Sequence, residues 1–297
     1  MLGRLLLPFL FLMLLFGGFF YYQKSHSTKT QGAATQNGKY KYVDVNKFVP
    51  ILSTDRAWYL DPTVRFTIDH FLETDDATQT KEWVEEKHEF FQFIGDLVAE
   101  GQIKLGETGD NRDEEREPID TIVIHHTQTS PERDIRWLNG LQLLTLYVPV
   151  FSNPGKDEEY KQPIWSSHFD ENGKMLFIAY HYLVYPDGRV ENPLEDREIG
   201  WHAGDWGYNK RSIGLAFVDD LTSNEPTAAA LNSARNIIAK YTSKNPEIEV
   251  IGHKQIEDGH TECPGVKFDE WKDKLIPQQE TKESLEHIET QVLLTFH

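Results

Sequence analysis

Apolar residues along this chain fall into one long run and several short ones, and each predicts a different element. After Arg4, residues 5–22 read LLLPFLFLMLLFGGFFYY without a charge. That is about the least a membrane span requires, and longer than the ~7–15 residues of a signal-peptide core. Tyr21 and Tyr22 stand where an interfacial aromatic belt would lie. Ser25-His26-Ser27 keeps a cleavable signal open as the alternative, and run length favours an uncleaved anchor. Residues 23–39 are polar, without apolar periodicity, and predict a flexible linker. In Thr78–Glu100, Trp83, Phe90, Phe91, Ile94, Leu97 and Val98 recur near helical spacing, with Thr78 or Thr80 as cap and Gly101 as terminator. The simplest role for that helix is packing on a larger core rather than forming a separate binding module. Residues 107–117 (ETGDNRDEERE) predict a solvated, charged linker rather than a metal cluster.

Beyond residue 118 the pattern changes. Ile122-Val123-Ile124 is a short β-branched run, as in a buried strand. Residues 132–148 carry Ile135, Leu138, Leu141, Leu143 and Leu144 at helical intervals. Phe151–Lys174 has loop composition and the length of an insertion that lines a cleft. Phe177–Val184 and Val190 flank a Pro186-Asp187-Gly188 turn. Ile213–Val218 and Glu249–Ile251 predict two further strands, separated by a helix entered at Pro226. Strands alternating with helices predict an α/β fold: a mixed central β-sheet flanked by helices, with an N-terminal membrane segment and a mainly helical accessory region. The expected boundaries are 1–22 for the anchor or signal, 23–39 for the linker, 40–118 for the accessory region and acidic linker, 119–275 for the catalytic domain and 276–297 for a C-terminal tail.

Composition narrows the function. A formal net charge of −18 without a basic cluster argues against nucleic acid as a partner. The single cysteine, Cys263, excludes an intramolecular disulfide. Free cysteines are often small buried hydrophobes. Placed before Pro264-Gly265 in a polar loop, this one reads better as a metal ligand. His125 and His253 each end a hydrophobic run, and Cys263 follows His253 by ten residues. Two imidazoles and a thiolate suit Zn2+ with an open fourth position for water. His126 competes with His125, and strand alternation sends the two to opposite faces, so only one can bind. Tyr180 and His260 or Thr261 are candidates to stabilise an oxyanion. No HExxH helix, GxSxG elbow, P-loop or GxGxxG is present. A Cys263–His253 thiol hydrolase would need a third orienting group and would leave His125 without a role.

Four segments in this order, VIHHTQT, AYHYLVYPDGRV, GWHAGDWGYNKRSIGLAFV and GHKQIEDGHTECPG, resemble the type 2 zinc-dependent N-acetylmuramoyl-L-alanine amidases, the family that includes peptidoglycan recognition proteins and phage lysozyme-type amidases. The resemblance covers about half of the chain, from Ile119 to Trp271. It implies His125, His253 and Cys263 as metal ligands, Tyr180 as the catalytic tyrosine, and His202 and Asn209 near the substrate groove, where His126 also falls. Bacterial and phage members commonly carry a lysine two residues before the third ligand. Here that residue is Thr261, as in amidase-active recognition proteins, with His260 beside it. The implied activity is hydrolysis of the amide between N-acetylmuramic acid and L-alanine in peptidoglycan or its fragments. The alternative is a non-catalytic peptidoglycan-binding receptor. Both place the body outside the cytoplasm, periplasmic or at the cell surface: anchored in the membrane, or secreted if the N-terminal segment is removed.

Overall fold

A five-stranded sheet in the order β5-β4-β6-β1-β7 organises the molecule. The strands are β1 (Thr121–His126), β4 (Tyr182–Val184), β5 (Val190–Glu191), β6 (Ser212–Phe217) and β7 (Glu249–Gly252). A separate antiparallel pair joins β2 (His168–Phe169) to β3 (Met175–Leu176). The structure is a computed structural model that describes residues 39–53, 57–73, 79–151, 164–256 and 261–276. The apolar run at 5–22, the linker to residue 38, His260 and the tail beyond 276 lie outside those residues. Among the described residues no helix is long and apolar enough to cross a membrane.

The sheet is mixed, as its sequence predicts: β1 runs parallel to β6 and β7, β4 parallel to β6, and β5 antiparallel to β4. Parallel central strands are covered on both faces, which is why β1 and β6 are buried at every position rather than alternating. On one face Ile122, Ile124, Ile213, Leu215 and Phe217 pack against α4 (Ala228–Thr242) and α5 (Phe268–Trp271). The helix expected from Pro226 begins two residues later, where the Thr227 side chain accepts a hydrogen bond from the Ala230 amide.

The other face carries Leu183, Ala216 and Val218 into one core with the helical region. That region contains α1 (Pro62–Glu73) and α2 (Lys81–Ala99). Thr80 caps α2 by accepting from the Trp83 amide, and Gly101, at φ 68°, ends it. Phe90, Phe91, Phe93 and Ile94 are fully buried, each contributing about 1.5–3 kcal/mol. Helix α2 crosses α3 (Arg136–Gln142) closely. A Cβ on Gly95 would sit 1.7 Å from the Arg136 carbonyl oxygen, and one on Gly140 2.0 Å from that of Phe91, so both positions require glycine for contact. At this crossing the fully buried Asp96 receives the Tyr40 hydroxyl, the Gln92 amide and the Arg136 guanidinium. From Tyr40 onward the chain forms one compact unit.

Three local expectations differ from the structure. The run Phe177–Val184 pairs as a strand only from Tyr182, because the Phe177 amide donates to Asn139 Oδ1 at 2.6 Å instead of a neighbouring strand. Helix α3 continues through a π turn at Leu143–Tyr147 to Phe151. The charged segment 107–117 is more than a solvated linker: Arg116 reaches inward and donates to the carbonyls of Asp196, Asn209, Lys210 and Ser212.

Candidate metal centre

Strand register brings the first two candidate ligands together. Ile124 pairs with Gly252 in the parallel β1–β7 ladder, so the next residues, His125 and His253, stand side by side at the strands' carboxyl ends. His125 lies within β1 as its fifth residue, and His253 begins a 3-10 turn after β7. Their ring centroids are 4.6 Å apart. Cys263 reaches them from the following loop, and one donor atom from each of the three lies within 4.8 Å of the others. Cys263 Sγ is 3.7 Å from His125 Nδ1. A tetrahedral zinc with Zn–S of about 2.3 Å and Zn–N of about 2.0–2.1 Å would place those donors about 3.6 Å apart. The donor set therefore fits zinc in chemistry and in spacing.

The hydrogen-bond network also presents the correct ring nitrogens. Burial first, and the neighbouring imidazoles second, hold the pKa of His125 and His202 well below the ordinary histidine value, so both rings are neutral. Ser212 Oγ donates its proton to the Tyr208 carbonyl at 2.6 Å. Its oxygen therefore accepts from His202 Nε2, 3.2 Å away. That leaves His202 Nδ1 as an acceptor, facing His125 Nε2 at 3.0 Å. His125 consequently carries its proton on Nε2 and turns a bare Nδ1 toward Cys263. The His253 ring is fixed similarly: Nε2 donates to the Ala203 carbonyl at 3.2 Å, leaving Nδ1 as the donor atom. Outer partners of this kind set both the tautomer and the ring orientation of metal-binding histidines.

Both orienting groups belong to adjacent residues, and Asn209 clamps them. Its Oδ1 accepts from the amides of His202 at 3.0 Å and Ala203 at 2.8 Å. His202 is packed against β6 so tightly that a Cβ on Gly214 would lie 2.6 Å from its Cδ2. The two residues expected near a substrate groove, His202 and Asn209, are each only 6% exposed, with His202 facing the candidate ligand His125 and Asn209 holding the amides of His202 and Ala203. His126 turns to the opposite side of β1, where its Nδ1 accepts from the Leu221 amide at 3.0 Å. Burial lowers its pKa to about 4. Its backbone amide donates to Cys263 Sγ at 3.4 Å.

Burial pushes the Cys263 thiol up to about 12, with the His126 amide pulling the other way. Tyr180, partly buried, places its ring 5.1 Å from that of His125. Burial, then the Cys263 charge, raises its pKa, with the Gln142 side chain pulling the other way, so the phenol stays protonated and able to donate. Thr261 Oγ1 accepts from the Cys263 amide at 3.1 Å, shaping the loop that carries the thiol. Ser212 and Gln142 were not among the candidates read from sequence. Ser212 sits in the Ser-Ile-Gly run, whose strand pattern hides its side-chain role, and Gln142 gives no local signal. A cleft near Trp201, lined also by Tyr147, Phe151, Trp165, Ser167 and Arg112, takes residues from the expected insertion and contains none of the three donors.

The N-acetylmuramoyl-L-alanine amidase family model (Amidase_2) matches residues 115–266. Among curated proteins, one peptidoglycan-recognition protein of Drosophila melanogaster is 28% identical over 167 residues, which is 53% of this chain and 78% of that protein. A second peptidoglycan-recognition protein of the same fly is 32% identical over 110 residues, 36% of this chain and 57% of that protein. The N-acetylmuramoyl-L-alanine amidase of Mus musculus is 35% identical over 95 residues, 30% of this chain and 17% of that enzyme. Among solved structures, the amidase LysC from Clostridium intestinale superposes with a TM-score of 0.38 at 19% identity, covering 59% of this chain and 94% of that one. Because the family match takes in more than half of the sequence and all three donor residues, the chain belongs to the N-acetylmuramoyl-L-alanine amidase (Amidase_2) family.

Proposed function

We propose that the protein is a zinc-dependent amidase that hydrolyses the bond between N-acetylmuramic acid and L-alanine in peptidoglycan or muropeptides. The observation that carries this reading is Cys263 in donor range of His125 and His253. A receptor would need only a groove. A buried thiol facing two neutral imidazoles with bare nitrogens has its natural use in metal binding.

Zinc held by His125 Nδ1, His253 Nδ1 and Cys263 Sγ would supply an activated water and a Lewis acid. The remaining chemistry falls to the chain. Tyr180 keeps its proton and can donate from its hydroxyl to the oxygen that gains charge as the amide carbon becomes tetrahedral. Thr261 holds the Cys263 loop in shape and retains a hydroxyl proton of its own. His126 acts through its backbone amide, which favours the thiolate. His202 and Asn209 orient the two ligand histidines.

The substrate also supplies the reason to place the body outside the cytoplasm, and the uncharged run at 5–22 supports attachment to the membrane. Fractionation of cells expressing the full chain or a chain starting at Lys39 tests that attachment: only the full chain should sediment with membranes.

The decisive experiment is mass spectrometry of a peptidoglycan digest made with zinc, with chelator, and with a Cys263→Ala chain. Free stem peptides appearing only with zinc and the native cysteine are expected. Intact glycan-linked peptides in every sample, with undiminished wall binding by the Cys263→Ala chain, would establish a receptor instead.

A further inference from the structure

Outside the centre just described, one other group of described side chains converges as a metal site would. Asp113, His168 and Glu198 each offer a donor atom, all within 4.8 Å of one another. We propose that these three residues form a second divalent-cation site, which ties the charged segment around Asp113 and the β2–β3 pair to the loop leading into His202.

The donors come from three separate stretches of chain, and none is a loose surface acid. His168 is 1% exposed and the Asp113 side chain 15%. His168 Nε2 stands 3.2 Å from Asp113 Oδ1. Ligands bound at about 2.0–2.2 Å in a tetrahedral shell lie about 3.4 Å apart, so this pair already has the spacing of two ligands on one ion. The same Asp113 oxygen accepts the Ile199 amide at 2.7 Å, and Glu198 Oε2 accepts the Glu195 amide at 2.5 Å. Such contacts orient ligating carboxylates without neutralising them.

A direct cationic partner is what the cluster lacks, although Arg197, itself paired with Glu195, acts electrostatically on Asp113 and Glu198. Among the described residues no lysine or arginine forms an ion pair with Asp113 or Glu198. Arg116 is near enough to interact electrostatically with Asp113. Its Nε and Nη1 are nevertheless committed to four backbone carbonyls. His168 Nδ1 is buried with no hydrogen-bond partner among the described residues, so the recorded polar contact of this ring points into the cluster. Two carboxylates and an imidazole, partly withdrawn from water, form a donor set for Zn2+ or Mn2+.

The consequence reaches the first centre through the chain. Glu198 lies four residues before His202, and its carbonyl accepts from His181 Nε2 at 2.9 Å. His181 Nδ1 in turn accepts the Gly214 amide at 3.0 Å, on the strand against which His202 packs. A cation on Glu198 would therefore stiffen the segment that orients His125 and His253.

The test is metal stoichiometry of the full chain, by mass-spectrometric metal analysis after equilibration with Zn2+ or Mn2+. The unaltered chain is expected to hold two equivalents. His253→Ala/Cys263→Ser should retain one, and adding His168→Ala or the milder Glu198→Gln to that background should remove it. In the same background, Zn2+ or Mn2+ should raise the melting temperature over the chelator control, and Glu198→Gln should abolish the rise. A His253→Ala/Cys263→Ser chain that folds, binds neither metal and melts identically in chelator would overturn the proposal, leaving Asp113–His168 as a plain hydrogen bond. The unaltered chain separates this from the first centre: one equivalent lost only on changing Cys263 and His253 would support that centre alone.

Discussion

Replacing His202 with leucine isolates the orienting role assigned to it, because leucine keeps an apolar bulk of similar size but accepts no hydrogen bond. In the native chain His125 Nε2 donates to His202 Nδ1 at 3.0 Å, inside a region where His125 is 1% exposed. Without that acceptor the Nε2 proton is buried unpaired, at a cost of about 1–3 kcal/mol. The ring can escape the cost by moving its proton to Nδ1 or by rotating, and either removes the lone pair from the metal. Loss of such an outer contact typically weakens metal binding 10–100-fold, equivalent to about 1.4–2.8 kcal/mol. The two estimates agree, so the zinc dissociation constant of His202→Leu should rise about 10–100-fold, as read by competition with a chelating indicator. Asparagine at 202 can return an acceptor near the Nδ1 position and should recover part of the loss. Urea unfolding of the metal-free proteins separates a general destabilisation from the metal effect. If His202→Leu folds, binds zinc within about threefold of the native chain and instead loses affinity for muropeptide, the orienting argument is wrong and His202 belongs to the substrate groove.

Other outcomes follow from the same geometry. Zinc binding should strengthen about tenfold per pH unit between about pH 7 and 9, because the Cys263 thiol, raised to about 12, must release its proton while burial holds the pKa of both ligand imidazoles below the ordinary histidine value. Calorimetry in buffers of different ionisation enthalpy would count that proton, and a count near zero would contradict the thiolate assignment. Metal-free stability should fall as pH drops below about 6.5: the buried rings of His125, His126, His181 and His202 have lowered folded pKa values, to about 4 for His126 and about 3 for His181, so the unfolded chain binds more protons there. Urea midpoints that stay flat from pH 7 to pH 5 would contradict it. Gly214→Ala would push a methyl carbon to 2.6 Å from His202 Cδ2. It should cost about 1–3 kcal/mol in unfolding free energy and weaken zinc binding in the direction of His202→Leu.

Local signals in the sequence sufficed for strands β1, β6 and β7 and for His125, His253 and Cys263 as candidate donors, because these depend on short patterns, whereas β2 lies in the 151–174 stretch expected to be a loop. Ile122–Ile124 announces a buried strand and places His125 at its carboxyl end. Thr80 and Gly101 bracket α2 through capping chemistry that needs no tertiary partner. Helix α1 was not legible: its first turn is organised by Asp61 accepting the Thr63 amide, a signal too short to stand out beside the α2 periodicity. The role of His202 is invisible for a different reason. Its partners lie at positions 125 and 212, and only the parallel registers of β1 with β6 and β7 bring them within hydrogen-bond reach. A motif reports which residues recur together; it does not report which stand in front of a metal and which behind it.

That distinction alters how the helical region should be understood. The sheet face bearing His125 also carries Ala216, its β6 partner, and Leu183, paired with Ala216 on β4. Leu183 and Ala216 share a core with Phe90, Phe91, Phe93 and Ile94 of α2. Tyr180 packs against the same core, which also holds Trp137 and Leu138 of α3, the helix that α2 crosses at Gly95 and Gly140. The Tyr180 ring, 5.1 Å from that of His125, is therefore backed by a helix whose own position depends on the accessory region. Well-packed cores transmit displacement instead of absorbing it. A substitution at the crossing, far from any ligand, should thus disturb Tyr180 before it disturbs His253 or Cys263, whose supports lie on the Ala203 carbonyl and the Thr261 loop.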